Sequence, residues 1–254
     1  MVRTVSLKNF DLASITDKGR VRERNEDFLA YFDTLNGHVF VVCDGMGGHN
    51  AGDVASELAV ESVGNYFNQK YYSNPFEAVE NAINYANKAV YNHANGNDYL
   101  NGMGTTIVLL LIRDDRIYYG HAGDSRLYLF KNNILYQLTV DHSRVQELLN
   151  SGRISQKEAL DHPLRNEITR ALGLSMRFEP EVSPKAIIPE DNDLVMICTD
   201  GLTNMLRDEE IVKCLSNLLN LNDKAARLVS RANKNGGLDN ISVQLIKFHN
   251  LGAY

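Results

Sequence analysis

No stretch of these 254 residues comes near 18 consecutive apolar positions, the minimum for a helix crossing a bilayer (about 18), so no membrane span is expected. The first residues, Met1-Val2-Arg3-Thr4-Val5-Ser6, lack the long apolar run of a secretory leader. Cysteine is scarce and odd in number: three residues, Cys43, Cys198 and Cys214, with no Cys-x-x-Cys pair. That excludes a disulfide framework and a thiolate metal knuckle, and predicts reduced core thiols in a cytoplasmic protein. Positive charge is not in excess either. The formal net charge is −6 and the pI near 5.7, which speaks against a nucleic-acid binder with its basic face. Internal repeats and low-complexity linkers are missing, and 44% hydrophobic content suits one compact domain over residues 1–254.

What is present is organised as strands with helices between them. Phe28 to Asp33 and Val39 to Cys43 read as paired strands around Leu35-Asn36-Gly37. Ala55, Leu58, Ala59, Ser62, Val63, Tyr66 and Phe67 define one face of a helix, and Phe76, Val79, Ile83, Ala86 and Val90 the face of a second, with Pro75 in its first turn. Thr105 to Ile112 is almost wholly apolar, as a strand covered on both faces should be. Short strands are expected at 116–122, 126–131 and 134–138, with Asn132-Asn133 as a hairpin turn. Residues 143–173 are polar and weakly periodic and read as a surface lobe. Strand signals return at Ile187 and Leu194. Helical faces follow at Ile211, Leu215, Leu218 and at Ala225, Leu228, Val229, Ala232, before a last strand from Ile241 to Phe248. Short turns between strands favour antiparallel sheets, hence an α+β fold and not a doubly wound one.

Two apolar runs end in Asp-Gly. Val39 to Cys43 meets Asp44-Gly45, and Leu194 to Cys198 passes through Thr199 into Asp200-Gly201; a third acid, Asp239, opens the segment Asn240 to Leu245. Strands lying side by side would bring these carboxylates to one sheet edge, where they repel unless cations or protons intervene. A divalent-metal site follows as the first hypothesis. Plainer readings exist. Asp44-Gly45 could be a hairpin turn, although the glycine-rich Met46 to Gly52 is too long for one; Asp200 could cap a helix; Asp239 and Gly123-Asp124 could be turn residues; the charged loop Asp17 to Asp27 could simply be solvated. Phosphate binding would need an arginine in that loop. A cysteine-nucleophile phosphatase needs arginine six positions after its cysteine; here those positions are His49, Asn204 and Asn220.

Taken in order, Asp17-x-Gly19-x-x-Arg22-x-x-Asn25-Glu26-Asp27, Asp44-Gly45-Met46-Gly47-Gly48-His49 with Gly52, Gly102-Met103-Gly104-Thr105-Thr106, Gly123-Asp124-Ser125-Arg126, Asp141-His142-Ser143, Thr199-Asp200-Gly201-Leu202 and Gly237-x-Asp239-Asn240-Ile241-Ser242 resemble the bacterial branch of the metal-dependent type 2C (PPM) serine/threonine protein phosphatases. The resemblance implies a two-layer antiparallel β-sandwich flanked by helices on both sides, and a flap made by residues 143–173. It implies that Asp44 bridges two Mn²⁺ or Mg²⁺ ions, that the Gly45 carbonyl binds one and Asp200 and Asp239 the other, and that Glu26 supports the cluster through water. Asp124, with Asp200, matches the ligands of a third, weaker ion, and Arg22 the phosphate-binding arginine. Oxygen donors of this kind favour Mg²⁺ or Mn²⁺ over zinc or copper.

The implied reaction is hydrolysis of phosphoserine or phosphothreonine in proteins by a water or hydroxide shared between metals, attacking phosphorus in line with the leaving oxygen. Animal members place a histidine where Met46 stands here; methionine donates no proton, so the general acid must be another group or a metal-bound water. His49 is nearer to a loop-holding role. The implied partners are phosphorylated proteins, among them a serine/threonine kinase and its substrates, and a monomer is expected. A specialised phosphatase of a sigma-factor pathway is an alternative. An inactive phosphoprotein-binding relative is another, but it would have lost ligands that are all present here.

Overall fold

The structure is a computed structural model describing residues 3–47, 51–96 and 98–251. It contains β1 (Arg3–Ser6), β2 (Phe10–Asp17), β3 (Asp27–Thr34) and β4 (Gly37–Met46), then helices α1 (Gly52–Gln69) and α2 (Pro75–Asn95). A run of strands follows: β5 (Gly104–Thr105), β6 (Ile107–Arg113), β7 (Arg116–Ala122), β8 (Arg126–Lys131) and β9 (Ile134–Gln137). Short helices α3 (Arg144–Asn150) and α4 (Gln156–Leu160) lead to β10 (Glu181–Val182) and β11 (Leu194–Cys198). The chain closes with α5 (Asp200–Thr203), α6 (Asp208–Leu215), α7 (Leu221–Lys234) and β12 (Ile241–Phe248).

The strands form two antiparallel sheets, ordered β1-β2-β12-β11-β8-β9 and β10-β7-β6-β4-β3, with β5 paired to the end of β4. Side-chain alternation explains the layering. In β4, Phe40 and Val42 point between the sheets while Val39, Val41 and Cys43 face α1 and α2. In β11, Val195 and Ile197 point inward while Leu194, Met196 and Cys198 face the helices on the other side. Strands buried on both faces show no alternation in sequence; β6 is buried at all seven positions, as its continuous apolar run required. The fold is the helix-flanked antiparallel sandwich expected.

Local chemistry sets the boundaries. Asn74 caps α2 through the amides of Phe76 and Glu77, and Pro75 occupies the first turn, where no intrahelical N–H is needed. Asn132 and Asn133 both take positive φ (52° and 61°), the paired geometry of a two-residue hairpin turn. All three cysteines are buried and free.

Some expectations need correction. The run from Thr105 is not one strand: it breaks at Thr106, whose backbone turns to bond Asp44. Ile187 makes only an isolated bridge to Ile117. Leu218 lies beyond the end of α6, fully exposed, because that helix stops at Leu215 where Lys224 bonds the terminal carbonyl. β1, β2 and β10 carry no clear strand signal in the sequence. The segment 143–173 carries two short helices, is closed on itself by the bridge Ser143–Ile168, and rejoins the body through the bridge Thr105–Leu172.

Candidate active site

Antiparallel pairing brings the far-apart acids to one end of the sandwich. Asp44 lies near the end of β4 and stands opposite Asp27 on β3, so Glu26 sits at the same edge. β11 runs out into Asp200, and β12, antiparallel to it, begins just after Asp239. The β7–β8 turn supplies Asp124. These side chains converge on a pocket of about 230 Å³ lined by Arg22, Glu26, Asp44, Gly45, Met46, Gly47, Thr106, Asp124, Asn166, Ile168, Asp200 and Asp239. Every site residue singled out in the sequence lines it. His49 and Gly48 lie outside the described residues.

The loops are held by polar contacts that single motifs did not reveal. Thr106 Oγ1 accepts the Asp44 N–H at 2.9 Å and lies 2.8 Å from Ser125 Oγ, while the Thr106 N–H and Thr105 hydroxyl both donate to the Asp44 carbonyl at 2.9 Å. Asn240 holds the arginine loop: its Oδ1 accepts from Glu26 N at 2.8 Å, and its Nδ2 donates to the carbonyls of Lys18 (2.9 Å) and Arg24 (2.8 Å). Thr199 donates to buried Asp27 at 2.9 Å and accepts from Ser242 N at 3.0 Å, tying one sheet to the other directly behind the acids. Thr106, Thr199 and Asn240 stood inside recognised motifs, but their roles depend on partners 19 to 222 positions away. Gly45 has a steric reason: a Cβ there would collide with the Gly52 carbonyl oxygen.

Negative charge in the pocket is poorly compensated. Arg22 donates to Asp239 Oδ2 at 2.7 Å, and among the described residues it is the only basic side chain lining the pocket. Burial first, and then the neighbouring carboxylates, lift Asp44 well above the usual carboxylate range. The same causes raise Asp124 to about 8, and burial with the charge of Asp239 raises Asp200. Asn204 donates to Asp200 Oδ2 at 2.9 Å, yet Asp200 Oδ1 is buried with no hydrogen-bond partner. A buried carboxylate oxygen without a donor is costly, and a cation is what resolves it. The donor set, carboxylates and a strand-end carbonyl, is that of a hard divalent ion.

The comparisons agree with this geometry. The family model described as Protein phosphatase 2C matches residues 17–245. The chain therefore belongs to the protein phosphatase 2C family. It is 39% identical over 238 residues to the serine/threonine phosphatase stp of Listeria monocytogenes, covering 91% of this chain and 93% of that one. A solved structure of the S. agalactiae serine/threonine phosphatase superposes with a TM-score of 0.88 at 36% identity, over 94% of this chain and all of the other. The catalytic domain of the serine threonine protein phosphatase PstP, solved with two manganese ions, gives 0.84 at 31% identity, over 95% and 99% of the two chains.

Proposed function

We propose that this chain hydrolyses phosphoserine and phosphothreonine in proteins, with two divalent cations held by Asp44, the Gly45 carbonyl, Asp200 and Asp239. Asp124 with Asp200 would hold a third, weaker ion, and Glu26 would support the cluster through water. The observation that carries the reading is the unpartnered, buried Oδ1 of Asp200 among carboxylates that raise one another. When bound, Mn²⁺ or Mg²⁺ supplies Lewis acidity, acidifying water for attack on phosphorus and offsetting phosphoryl charge.

The chain's own residues do the rest. The Arg22 guanidinium, half exposed at the pocket mouth, is free in shape to grip two phosphoryl oxygens and fix the ester. The clamps on Asp44 and Glu26 keep the acids from moving as charge develops. Met46 lines the pocket and offers no proton, so the proton for the leaving alkoxide comes from solvent in this reading. Residues 143–173 act as a flap, since Asn166 and Ile168 reach the pocket from it. The three buried thiols suit a reducing compartment, so the reading includes a cytoplasmic monomer that reverses the work of a serine/threonine kinase.

The test is Mn²⁺-dependent cleavage of p-nitrophenyl phosphate and a phosphothreonine peptide. A chelator and Asp44→Ala should each lower kcat by at least about 10³-fold. Full activity in the presence of chelator refutes the reading.

A further inference from the structure

Behind Asp124 lies a second polar cluster, formed by His121, His142 and Glu181, whose potential ligand atoms fall within 4.8 Å of one another. Its geometry is not that of a cation site. The two imidazoles are stacked, with centroids 4.5 Å apart and planes 11° from parallel. Nitrogen lone pairs lie in the ring plane, so one ion cannot meet both rings of a parallel stack. The hydrogen bonds also fix the proton on His142. Its Nδ1 accepts the Gly123 N–H at 3.2 Å, which leaves the proton on Nε2, 3.2 Å from Glu181 Oε2.

His142 therefore grips Gly123 twice. Its ring accepts from the Gly123 N–H, and its own N–H donates to the Gly123 carbonyl at 2.9 Å. Gly123 is the residue before Asp124. It takes φ +105°, and a Cβ there would clash with Thr106, so Gly123 itself has no side chain to hold it. Asp141, next to His142, is held by Arg126 through bonds of 2.8 Å from Nε and 2.6 Å from Nη2. Residues 123 to 126 are thus fastened to residues 141 and 142 at both ends. His142 also accepts the Thr169 N–H on its carbonyl at 2.8 Å, one residue from Ile168 in the pocket lining.

We propose that His142 is a positioning residue for Asp124: its imidazole, oriented by Glu181, clamps the Gly123 peptide and so sets where the Asp124 carboxylate stands. This rests on the reading of Asp124 as the ligand of the weakest cation. Residues that orient metal ligands from behind commonly change affinity by about 10–100-fold when replaced.

The experiment is Mn²⁺ titration by calorimetry, with turnover on a phosphothreonine peptide, for the wild type and for Asp124→Ala, His142→Gln and His142→Asn. Asparagine places its Oδ1 where histidine has Nδ1 and keeps the acceptor for Gly123; glutamine reaches the Nε2 position and loses it. His142→Gln should keep the two tighter Mn²⁺ ions, weaken the third by about tenfold, and lower kcat by a similar factor with KM unchanged. His142→Asn should restore both to within about twofold of wild type. Equal behaviour of the two variants, or an unaltered third Mn²⁺ in His142→Gln, overturns the inference. If Asp124→Ala removes the third ion while His142→Gln does not, only the clamp is wrong. If Asp124→Ala itself keeps all three, the assignment of Asp124 fails and the clamp with it. A readout independent of any variant's folding is the ¹⁵N shift of His142 in the ion-free wild type. An unprotonated, accepting Nδ1 is expected, and a protonated Nδ1 overturns the inference.

Discussion

The two ends of the sandwich carry two concavities, and the larger one is not where the chemistry lies. At the end opposite Asp44, a cleft of about 550 Å³ is lined by residues that include Phe10, Asn36, His38, Tyr71, Arg113 and Asp114. The acidic pocket measures about 230 Å³. The difference is in how charge is answered. In the cleft, buried Arg113 donates from Nε to Asn36 O (2.6 Å), from Nη1 to Tyr72 O (2.7 Å) and from Nη2 to Asn36 Oδ1 (3.1 Å), and lies over the Tyr71 ring at 4.9 Å. Its cation is committed to joining the β3–β4 turn to the connection between α1 and α2. In the pocket, several carboxylates face one another around a single arginine, and Asp200 Oδ1 has no donor. Volume measures how loops happen to fall; uncompensated charge measures what is still to be bound.

If that contrast holds, substitutions at the two ends should separate activity from stability. Arg22→Ala removes a guanidinium half exposed at the pocket mouth. It should reduce kcat/KM for phosphate esters by about 10²-fold, chiefly through KM, with a melting temperature near wild type. An unchanged KM removes Arg22 from phosphate binding. Arg113→Leu should do the reverse. It leaves the carbonyls of Asn36 and Tyr72 without their donor, which should cost about 2–4 kcal/mol of stability in urea unfolding. Turnover and Mn²⁺ affinity should stay within about twofold. A loss of turnover larger than the loss of folded protein would mean that the cleft takes part in function.

The same contrast explains what the sequence makes legible. The acids could be placed because each borders an apolar strand run: Asp44 and Asp200 follow one and are stopped by Asp-Gly, as at Cys43-Asp44-Gly45, while Asp239 precedes one. Arg22 could be placed only through the order of the motifs, since the charged loop around it has no period. β1 and β2 escaped notice for a physical reason. β1 is a short edge strand, and β2 divides its apolar residues between two cores, with Phe10 and Leu12 between the sheets and Ala13 toward α7, so neither alternation nor a continuous run marks it. β2 is secured by pairing with β12, as in Ile241↔Asp17, across more than two hundred residues. Leu218 misled because helical spacing carries on in sequence past the point where α6 has ended. The clamps made by Thr106, Asn240 and His142 were unreadable because a side chain's hydrogen-bond partner is a matter of tertiary contact.

The smallest expected effect concerns pH, and its sign separates the pocket from the histidine stack behind it. In the pocket, Asp44 and Asp200 are raised, Asp124 to about 8, and Asp27 behind them to about 7 by burial. The native state then holds protons that the unfolded chain, with carboxylates near 3.8, has released. The stabilisation is complete below about 3.8 and is lost as pH rises through 7 to 8. His142 works the other way. Burial first and the neighbouring His121 second pull it from 6.5 to about 4, so its contribution is full above 6.5 and is lost as pH falls toward 4. Ion-free protein should therefore melt several degrees lower at pH 8 than at pH 6.5, and saturating Mn²⁺ should abolish that decline by binding the deprotonated acids. Asp124→Asn should shrink the decline, and His142→Asn should instead gain stability on the wild type only as pH falls below 6.5. A melting temperature that is level from pH 6.5 to 8 without ions would mean that the carboxylates do not oppose one another, and would remove the electrostatic reason for cations at this end of the fold.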